Sequence, residues 1–298
     1  MLFFLVRPRV SARRVISVGG MLVCWLFCVV SVSAQRSIPD DNLAYPVLVQ
    51  FPDEKASGFY LTTETSTYFV TAKHVLFDPR TGQIRTGSMS LLSYSRDPKE
   101  SGTNLILIDI AALARAGEIK VHPTADVVVV RIADLAKSAQ ENVQGARTLQ
   151  LLPGVTSQAS VSNGIVGVGI KVIKKYDEVL VANEVLLFGY PTSLGIPESP
   201  QLDPLRPLLR RGIVAGLNPN GKSIIVDCPS YPGNSGGLVV EVDRSAFNAS
   251  INVIGVVSQF VPFEEKWINY PMGYQNINLS NSGYTIVTPM DFVLELVK

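Results

Sequence analysis

Residues 231–240 read YPGNSGGLVV, a glycine-flanked serine that leads directly into an apolar, strand-like run. Glycines on both sides of Ser235 allow the sharp backbone turn that exposes a serine hydroxyl and aims nearby amides at one point. The N–H groups of Gly233 and Ser235 are the expected pair of donors. Taken alone, the same residues also fit an ordinary Gly-Asn-Ser-Gly hairpin turn. The stretch therefore predicts either a nucleophile loop or a plain turn, and the rest of the chain decides between them.

A serine hydroxyl is a weak nucleophile near neutral pH, so a nucleophile loop requires a base. The chain has two histidines, His74 and His122. His74 ends the apolar run YFVTAKH, and a base at the end of a strand can reach into a cleft. His122 is the alternative base, although it lacks a comparable context. For either residue, the bland alternative is a histidine satisfied by local hydrogen bonds.

The third member of such a site is a carboxylate that orients the imidazole and stabilises its protonated form. Asp126 opens the segment DVVVVRI, and a charge beside so apolar a strand needs a partner. The alternative is a turn or strand-capping aspartate, because Pro123 and Thr124 precede it. Asp126 is thus the predicted carboxylate.

Short runs of Val, Ile, Leu, Tyr and Thr between clusters of Gly, Pro, Asn and Ser predict an all-β fold, a barrel or a sandwich. The predicted strands are 43–50, 57–62, 67–71, 88–94, 104–110, 127–132, 165–174, 184–189, 211–217, 223–228, 237–242, 252–259 and 284–288. The more polar stretch 133–155 is the predicted link between two halves. One helix is predicted at 289–298, with Thr288 as its cap, Pro289 in its first turn and Asp291 at the positive end of its dipole.

The N-terminal segment 1–34 has the pattern of a secretory signal. Four arginines precede the uncharged run 15–34, which ends in small residues just before Gln35. Cleavage there leaves a 264-residue domain, 35–298, with 22 basic and 25 acidic residues and a net charge of −3. The arginine pair at 13–14 leaves a twin-arginine route open. The alternative is an uncleaved membrane anchor that holds the domain outside the cytoplasm, because 20 apolar residues can cross a bilayer.

Composition argues against several other functions. The small negative charge does not suggest a nucleic acid partner, and membrane contact is expected only if the N-terminal segment is retained. His74 and His122 are not at metal-ligand spacing on one element, so we expect neither a metal nor another cofactor. Cys228 is the only cysteine after residue 34, which excludes an internal disulfide. We interpret Cys228 as a small buried hydrophobe rather than a reactive thiol.

The segments TAKHV, ADVVVVRI and GNSGG, in this order, resemble the three signature segments of the chymotrypsin-like serine proteases. The resemblance is to the bacterial trypsin-like and HtrA-type branch, without a PDZ domain, and spans roughly residues 43–290. It implies two six-stranded antiparallel β-barrels followed by a C-terminal helix. The first barrel is expected at about 40–135 and the second at about 156–288.

The resemblance also implies a function, that of an exported endopeptidase in the periplasm or outside the cell. His74, Asp126 and Ser235 would form a catalytic triad that cleaves polypeptide substrates through an acyl-enzyme. The Gly233 and Ser235 amides would form the oxyanion hole. Two alternatives stay open: a catalytically silent binding protein on the same fold, and a β-rich adhesin in which the three motifs coincide by chance.

Substrate-binding residues follow from the same resemblance and are Cys228, Pro229, Ser230, Val257 and Ser258. The strand that contains Val257 and Ser258 would pair with an extended substrate. No acid lies at the expected base of the specificity pocket, so we expect a small or medium apolar side chain there. Asp227 would change this if it entered the pocket, but strand alternation points it away from Cys228.

The sequence departs from trimming-activated relatives at one position. Those relatives have Asp directly before the serine, where it pairs with a newly freed terminal ammonium, whereas this chain has the neutral Asn234. That ion pair cannot form. We therefore expect no activation by N-terminal insertion.

Overall fold

The computed structural model describes residues 38–39, 41–97, 99, 102–135, 148–159, 164–192, 199–245 and 248–297. The predicted signal, 1–34, lies outside these ranges. Within the described part of the chain, no helix is both long and apolar enough to cross a membrane.

The first half of the chain forms one large, mostly antiparallel sheet. Its strands are β1 (Pro46–Gln50), β2 (Lys55–Thr62), β3 (Ser66–Thr71), β4 (Ser88–Tyr94), β5 (Thr103–Asp109), β6 (Ile119–Val121), β7 (Val128–Leu135), β8 (Leu149–Leu151), β9 (Val155–Ala159) and β10 (Gly167–Gly169). The strand order is β6-β7-β3-β2-β1-β4-β5-β9. In addition, β8 pairs with β7 and β10 pairs in parallel with β2.

The second half forms a closed six-stranded barrel. Its strands are β11 (Glu184–Gly189), β12 (Leu208–Asn218), β13 (Ser223–Asp227), β14 (Leu238–Ser245), β15 (Asn248–Asn269) and β16 (Tyr274–Pro289). They follow one another as β11-β12-β13-β16-β15-β14 around the barrel. All of these pairs are antiparallel.

The all-β prediction is confirmed, and the second half is the expected six-stranded barrel. The first half differs, because pairs between the described residues give a curled ten-stranded sheet rather than a closed six-stranded barrel. Part of the predicted link 133–155 belongs to this sheet as the end of β7, β8 and the start of β9, while 136–147 lies outside the described residues. The predicted strand 165–174 is reduced to β10 and a 3₁₀ turn.

Three α-helices occur in the described residues: α1 (Lys73–Leu76), α2 (Ile110–Arg115) and α3 (Met290–Leu296). The predicted C-terminal helix is α3, but its predicted cap is wrong. Pro289 occupies the cap position, with no side-chain hydrogen bond to the first turn. The Asp291 carboxylate instead accepts from the Tyr176 N–H at 2.7 Å and pairs with Lys222 at 3.1 Å. Tertiary contacts therefore fix the start of the helix.

Three main apolar clusters explain why several strands read as continuous apolar runs. One cluster fills the curve of the first sheet, with Tyr60 and Phe69, and another fills the second barrel. A third lies between the two sheets and under α3, where Val129 and Phe188 meet Met290. Strands such as β3 and β7 are consequently buried on both faces rather than one. The two sheets and the C-terminal helix share this central cluster.

Candidate active site

The structure brings two of the three predicted catalytic residues into direct contact. His74 lies in α1, immediately after β3, and Asp126 lies in the bend before β7. The His74 Nδ1 is 2.8 Å from Asp126 Oδ2, and the His74 backbone N–H donates to Asp126 Oδ1 at 3.0 Å. Pairing of β3 with β7 puts the two strand ends together. One carboxylate therefore fixes both the ring and the backbone of His74.

The environment of Asp126 keeps its carboxyl group ionised. Burial of the carboxyl raises its pKa, but hydrogen bonds from the His74 ring, the Ser258 hydroxyl and the His74 backbone N–H outweigh burial and bring the pKa below its ordinary value. Ser258 Oγ donates to Asp126 Oδ2 at 2.6 Å. An ionised carboxylate only accepts hydrogen bonds, so His74 Nδ1 carries the proton and Nε2 is left as an acceptor.

The loop that contains Ser235 is held against the residues that flank this pair. The Ser235 carbonyl accepts from the Ser57 N–H at 3.0 Å, and the Gly236 N–H donates to the Val257 carbonyl at 2.8 Å. Val257 directly precedes Ser258, the partner of Asp126. These backbone hydrogen bonds join the loop that contains Ser235 to β2 and to the strand of Ser258, whereas the direct side-chain contact is between His74 and Asp126.

Two glycines in this loop adopt backbone angles that side chains avoid. Gly233 has φ of +91° and Gly236 has φ of +83°. A Cβ at Gly236 would lie 2.0 Å from Thr71 Oγ1, just before α1, and a Cβ at Gly233 would lie 2.3 Å from the Tyr190 carbonyl oxygen. The turn therefore requires both glycines, Gly236 for its close approach to the first sheet and Gly233 for its close approach to the segment after β11.

In the loop that contains Ser235, the orientation of two peptide groups leaves two backbone N–H groups available as hydrogen-bond donors. The Pro232 carbonyl accepts from the Thr192 N–H, and the Asn234 carbonyl accepts from the Gly237 N–H, both at 2.9 Å. The C=O and N–H of a trans peptide point in opposite directions, so the Gly233 and Ser235 N–H groups point away from these contacts. Among the described residues, neither N–H has an acceptor. Both can donate to an added oxygen.

A buried serine from the first sheet supports this loop, and sequence reasoning missed it. Ser57 in β2 is completely buried. Its hydroxyl donates to the Gly233 carbonyl at 2.7 Å and accepts from the Tyr190 N–H at 2.8 Å. Its backbone carbonyl accepts from Thr71 Oγ1 at 2.8 Å. No local motif marks Ser57, because its partners are distant in sequence.

Asn234 stabilises the loop from within. Its side chain is buried, and Oδ1 accepts from the Tyr231 N–H at 3.0 Å. The amide group fits against Gly189, where a Cβ would lie 2.4 Å from Asn234 Nδ2. A neutral side chain within the loop thus makes the local contact that shapes it.

His122, the alternative base, has a different environment. It is buried beneath α3, where Nε2 lies 3.2 Å from Glu295 Oε2 and the ring contacts Phe292. Its Nδ1 accepts from the Ala125 N–H at 2.8 Å. Both ring nitrogens are thus engaged with structural partners. His122 helps to hold the C-terminal helix.

The predicted substrate-binding residues fall into two groups. The side chains of Cys228 and Val257 are buried in the core of the second barrel, and burial raises the pKa of the Cys228 thiol to about 11. Cys228 is therefore a structural residue, and strand alternation leaves Asp227 exposed as expected. Ser258 contacts Asp126, Ser230 Oγ lies 2.9 Å from Thr285 Oγ1, and Pro229 is half-buried. Among the described residues, no group of three His, Cys, Asp or Glu side chains could hold a metal ion.

Comparison with protein families gives one match. The model of the trypsin-like peptidase domain matches residues 56–247, more than half of the chain. This range includes His74, Asp126 and Ser235. No curated protein matches the sequence significantly.

Several solved structures resemble the chain. Deg5 is 15% identical with a TM-score of 0.46, over 86% of this chain and 88% of Deg5. The thermostable serine protease AL20 from an extremophilic microorganism is 12% identical with a TM-score of 0.48, over 86% of this chain and 95% of AL20. The HtrA-type protease AlgW with a tripeptide is 14% identical with a TM-score of 0.44, over 87% of this chain and 62% of AlgW. Because these TM-scores lie below 0.5, family membership rests on the family model.

The contacts of Asp126 predict a specific pH dependence for Ser258→Ala. In the folded protein the pKa of Asp126 is below its ordinary value of 3.8. The carboxyl group of Asp126 therefore binds a proton more readily in the unfolded chain than in the folded protein. The resulting stabilisation is complete above the unfolded pKa and is lost as pH falls through the folded one. We expect Ser258→Ala to lower the free energy of unfolding by about 1.5–3 kcal/mol near pH 7. The difference from wild type should shrink at pH values below 3.8.

Denaturant titrations between neutral and acidic pH measure this difference. Ser250→Ala is the matched control, because Ser250 is exposed and contacts Asn252 rather than a carboxylate. A loss of stability in Ser258→Ala that stayed constant across the whole range would contradict the proposed link to Asp126.

Proposed function

Because the chain belongs to the trypsin-like peptidase domain family and is a serine-type hydrolase, we propose that it is an exported endopeptidase that uses Ser235, His74 and Asp126. The contact between His74 and Asp126, beside the loop of Ser235, is the observation that carries this proposal. Polypeptides are the proposed substrates.

The proton path follows from the tautomer of His74. Nδ1 donates to the ionised Asp126, so Nε2 accepts the proton of the Ser235 hydroxyl as its oxygen attacks the substrate carbonyl. The imidazolium formed is stabilised by Asp126 and then returns the proton to the leaving amine. A water molecule next attacks the acyl-enzyme, and His74 moves its proton to Ser235 as the acid product leaves.

The mechanism also requires that the negative charge on the substrate carbonyl oxygen be stabilised. In the tetrahedral intermediate this oxygen becomes an anion, and we assign its stabilisation to the Gly233 and Ser235 N–H groups. Free amides at both positions, fixed by the hydrogen bonds of Pro232 and Asn234, support this assignment. Donors that are already oriented need no reorganisation at the moment of reaction.

We also propose that the specificity pocket accepts a small or medium apolar side chain. Pro229 and Ser230 precede the nucleophile loop, and neither is acidic. Asp227 is exposed, on the opposite side of its strand from the buried Cys228. A pocket without a negative charge does not favour Lys or Arg.

Export forms part of the proposal and is supported by residues 1–34, whose basic, apolar and small-residue regions follow the order of a signal peptide. The mature enzyme would act in the periplasm or outside the cell.

A fluorophosphonate probe tests the catalytic assignment, because it forms a covalent bond with an activated serine. We expect wild-type protein to be labelled and Ser235→Ala not to be labelled. His74→Ala should be labelled at least about 100-fold more slowly, since a general base typically contributes 10²–10⁴-fold. Labelling rates are read by intact-mass spectrometry.

His122→Asn is the matched control for the histidine substitution, because an asparagine oxygen can replace the Nδ1 acceptor of His122. Its labelling rate should stay close to that of wild type. Folded wild-type protein that reacts with no probe would instead support the silent binding protein, and labelling that persists in Ser235→Ala would refute the assigned nucleophile.

The contacts of Ser57 predict that it positions the loop that contains Gly233 and Ser235. Ser57→Ala removes the donor to the Gly233 carbonyl and the acceptor for the Tyr190 N–H. Loss of an oxyanion donor itself lowers kcat by about 10²–10³-fold, so we expect loss of its support to lower kcat by about 10- to 100-fold. KM for a short peptide should change little, since Ser57 is completely buried.

Ser93→Ala is the control, because Ser93 is also a completely buried serine of the first sheet. Steady-state kinetics and denaturation midpoints are measured for both variants. Equal kcat in Ser57→Ala and Ser93→Ala at equal stability would mean that Ser57 has only a structural role.

The contacts of Asn234 predict that the enzyme needs no further cleavage for activity once residues 1–34 have been removed. Its side chain already bonds within the loop to the Tyr231 N–H, so the loop does not depend on an inserted ammonium. We expect the labelled, exported enzyme to begin at Gln35. N-terminal mass spectrometry of probe-labelled protein checks this; a further cleavage that sharply raised labelling would contradict it.

A further inference from the structure

The second barrel carries a long, exposed hairpin that the proposed chemistry does not use. We call residues 262–281, the outer parts of β15 and β16, the ribbon. Eight of the eighteen large hydrophobic side chains that are exposed among the described residues belong to it. They are Phe263, Trp267, Ile268, Tyr270, Met272, Tyr274, Ile277 and Leu279. Such a concentration of exposed apolar side chains marks a contact surface.

Both faces of the ribbon carry exposed apolar side chains, which is unusual for a hairpin that contacts only water. Register and strand alternation put Phe263, Trp267 and Tyr274 on one face, and Ile268, Ile277 and Leu279 on the other. Trp267 is 67% exposed and Leu279 is 63% exposed. A two-stranded hairpin alone is only marginally stable in water, so these side chains gain by packing against another chain.

One edge of the ribbon is continuous with the candidate active site. Pairing of β14 with β15 ends at Leu238 and Val256, and the nucleophile loop bonds to Val257. From Ser258 to Asn269, the edge of β15 opposite β16 has no strand partner among the described residues. This free edge begins at the residue that hydrogen-bonds Asp126.

The base of the ribbon is fixed to the segment that leads into Ser235. Asn281 Nδ2 donates to the Ser230 carbonyl at 2.5 Å, and Thr285 Oγ1 donates to the Cys228 carbonyl at 2.7 Å. Ser282 Oγ donates to the Val261 carbonyl across the two strands at 2.6 Å. The ribbon therefore starts from a defined position relative to the nucleophile loop.

The charge of the ribbon helps to select its partner. Glu264 and Glu265 outnumber Lys266, which gives a net charge of −1. An acidic surface is not attracted to anionic lipid headgroups. A polypeptide, in contrast, can pair its backbone with the free edge of β15 as an added strand, and this edge begins at Ser258, next to the residue that bonds to the loop of Ser235.

We propose that the free edge of β15 in the ribbon is a docking surface for the substrate, specifically an extended apolar segment of an unfolded polypeptide. This inference rests on the proposed endopeptidase function. The substrate adds as an antiparallel strand, so residues N-terminal to the scissile bond run outward along β15 and pack on Phe263, Trp267 and Ile268. Ser258 to Trp267 spans about 30 Å of extended chain, far more than a short peptide covers.

The experiment compares a long and a short substrate with the same scissile bond. The long substrate is reduced, carbamidomethylated ribonuclease A, a basic chain that does not refold. The short substrate is the hexapeptide that surrounds the first cleavage site mapped in it. Two double variants are compared with wild type: Phe263→Ser with Trp267→Ser on β15, and Ile277→Ser with Leu279→Ser on β16.

We expect the β15 variant to lower kcat/KM for the long substrate by about 10-fold or more, mainly through KM, since loss of central aromatic contacts has effects of this size. Cleavage of the hexapeptide should stay within about twofold, because contact residues beyond its reach cannot affect its binding. The β16 variant removes similar apolar surface from the strand away from the docking edge. It should cleave both substrates within about twofold of wild type.

Several results would overturn the inference. Equal loss in both double variants would mean that the ribbon matters only for stability, which denaturation midpoints check independently. A lower sedimentation coefficient in the β15 variant, with unchanged cleavage of the long substrate, would identify a second copy of the chain as the partner. Lost binding to phosphatidylcholine vesicles with unchanged cleavage would identify a lipid surface. Failure of wild type to cleave either substrate would instead reject the proposed function itself.

Discussion

The shape of the loop that contains Ser235 depends on one buried residue from the opposite sheet. Ser57 bonds through its hydroxyl to the Gly233 carbonyl and the Tyr190 N–H, and through its backbone N–H to the Ser235 carbonyl. Buried polar groups are costly when unpaired, so this junction holds only while every partner is present. The loop sequence permits the turn, but the contact with the first sheet fixes it.

Support is exchanged between the two halves of the site. Ser57 from the first sheet holds the Gly233 peptide of the second barrel, and Ser258 from the second barrel holds Asp126 of the first sheet. The imidazole and the free amides therefore keep their positions only when the two sheets are packed together. The apolar cluster around Val129 and Phe188 provides that packing. Core packing and chemistry are thus linked through two serine hydroxyls.

Strands with a clear apolar pattern were predicted well, as β4 and β11 were at their full observed lengths. The contact between His74 and Asp126 also followed from motifs at strand ends. The ribbon was not predicted, because neither face of its strands is buried. Apolar and polar residues therefore do not alternate along these strands in the way that marks a half-buried strand. The Thr288 cap was wrong because Thr288 and Pro289 still belong to β16 and pair with Val256 and Gly255, so the helix begins only at Met290. Ser57 was missed because its partners are distant in sequence and leave no local pattern.

The position of α3 has a consequence for the candidate active site. Met290 and Val293 complete the cluster between the two sheets, beside the strand that follows Asp126. Truncation of these side chains would leave a cavity where the two sheets meet and would weaken the packing that keeps Ser57 and Ser258 against their partners. A helix that contains neither His74 nor Ser235 thus contributes to the geometry around both.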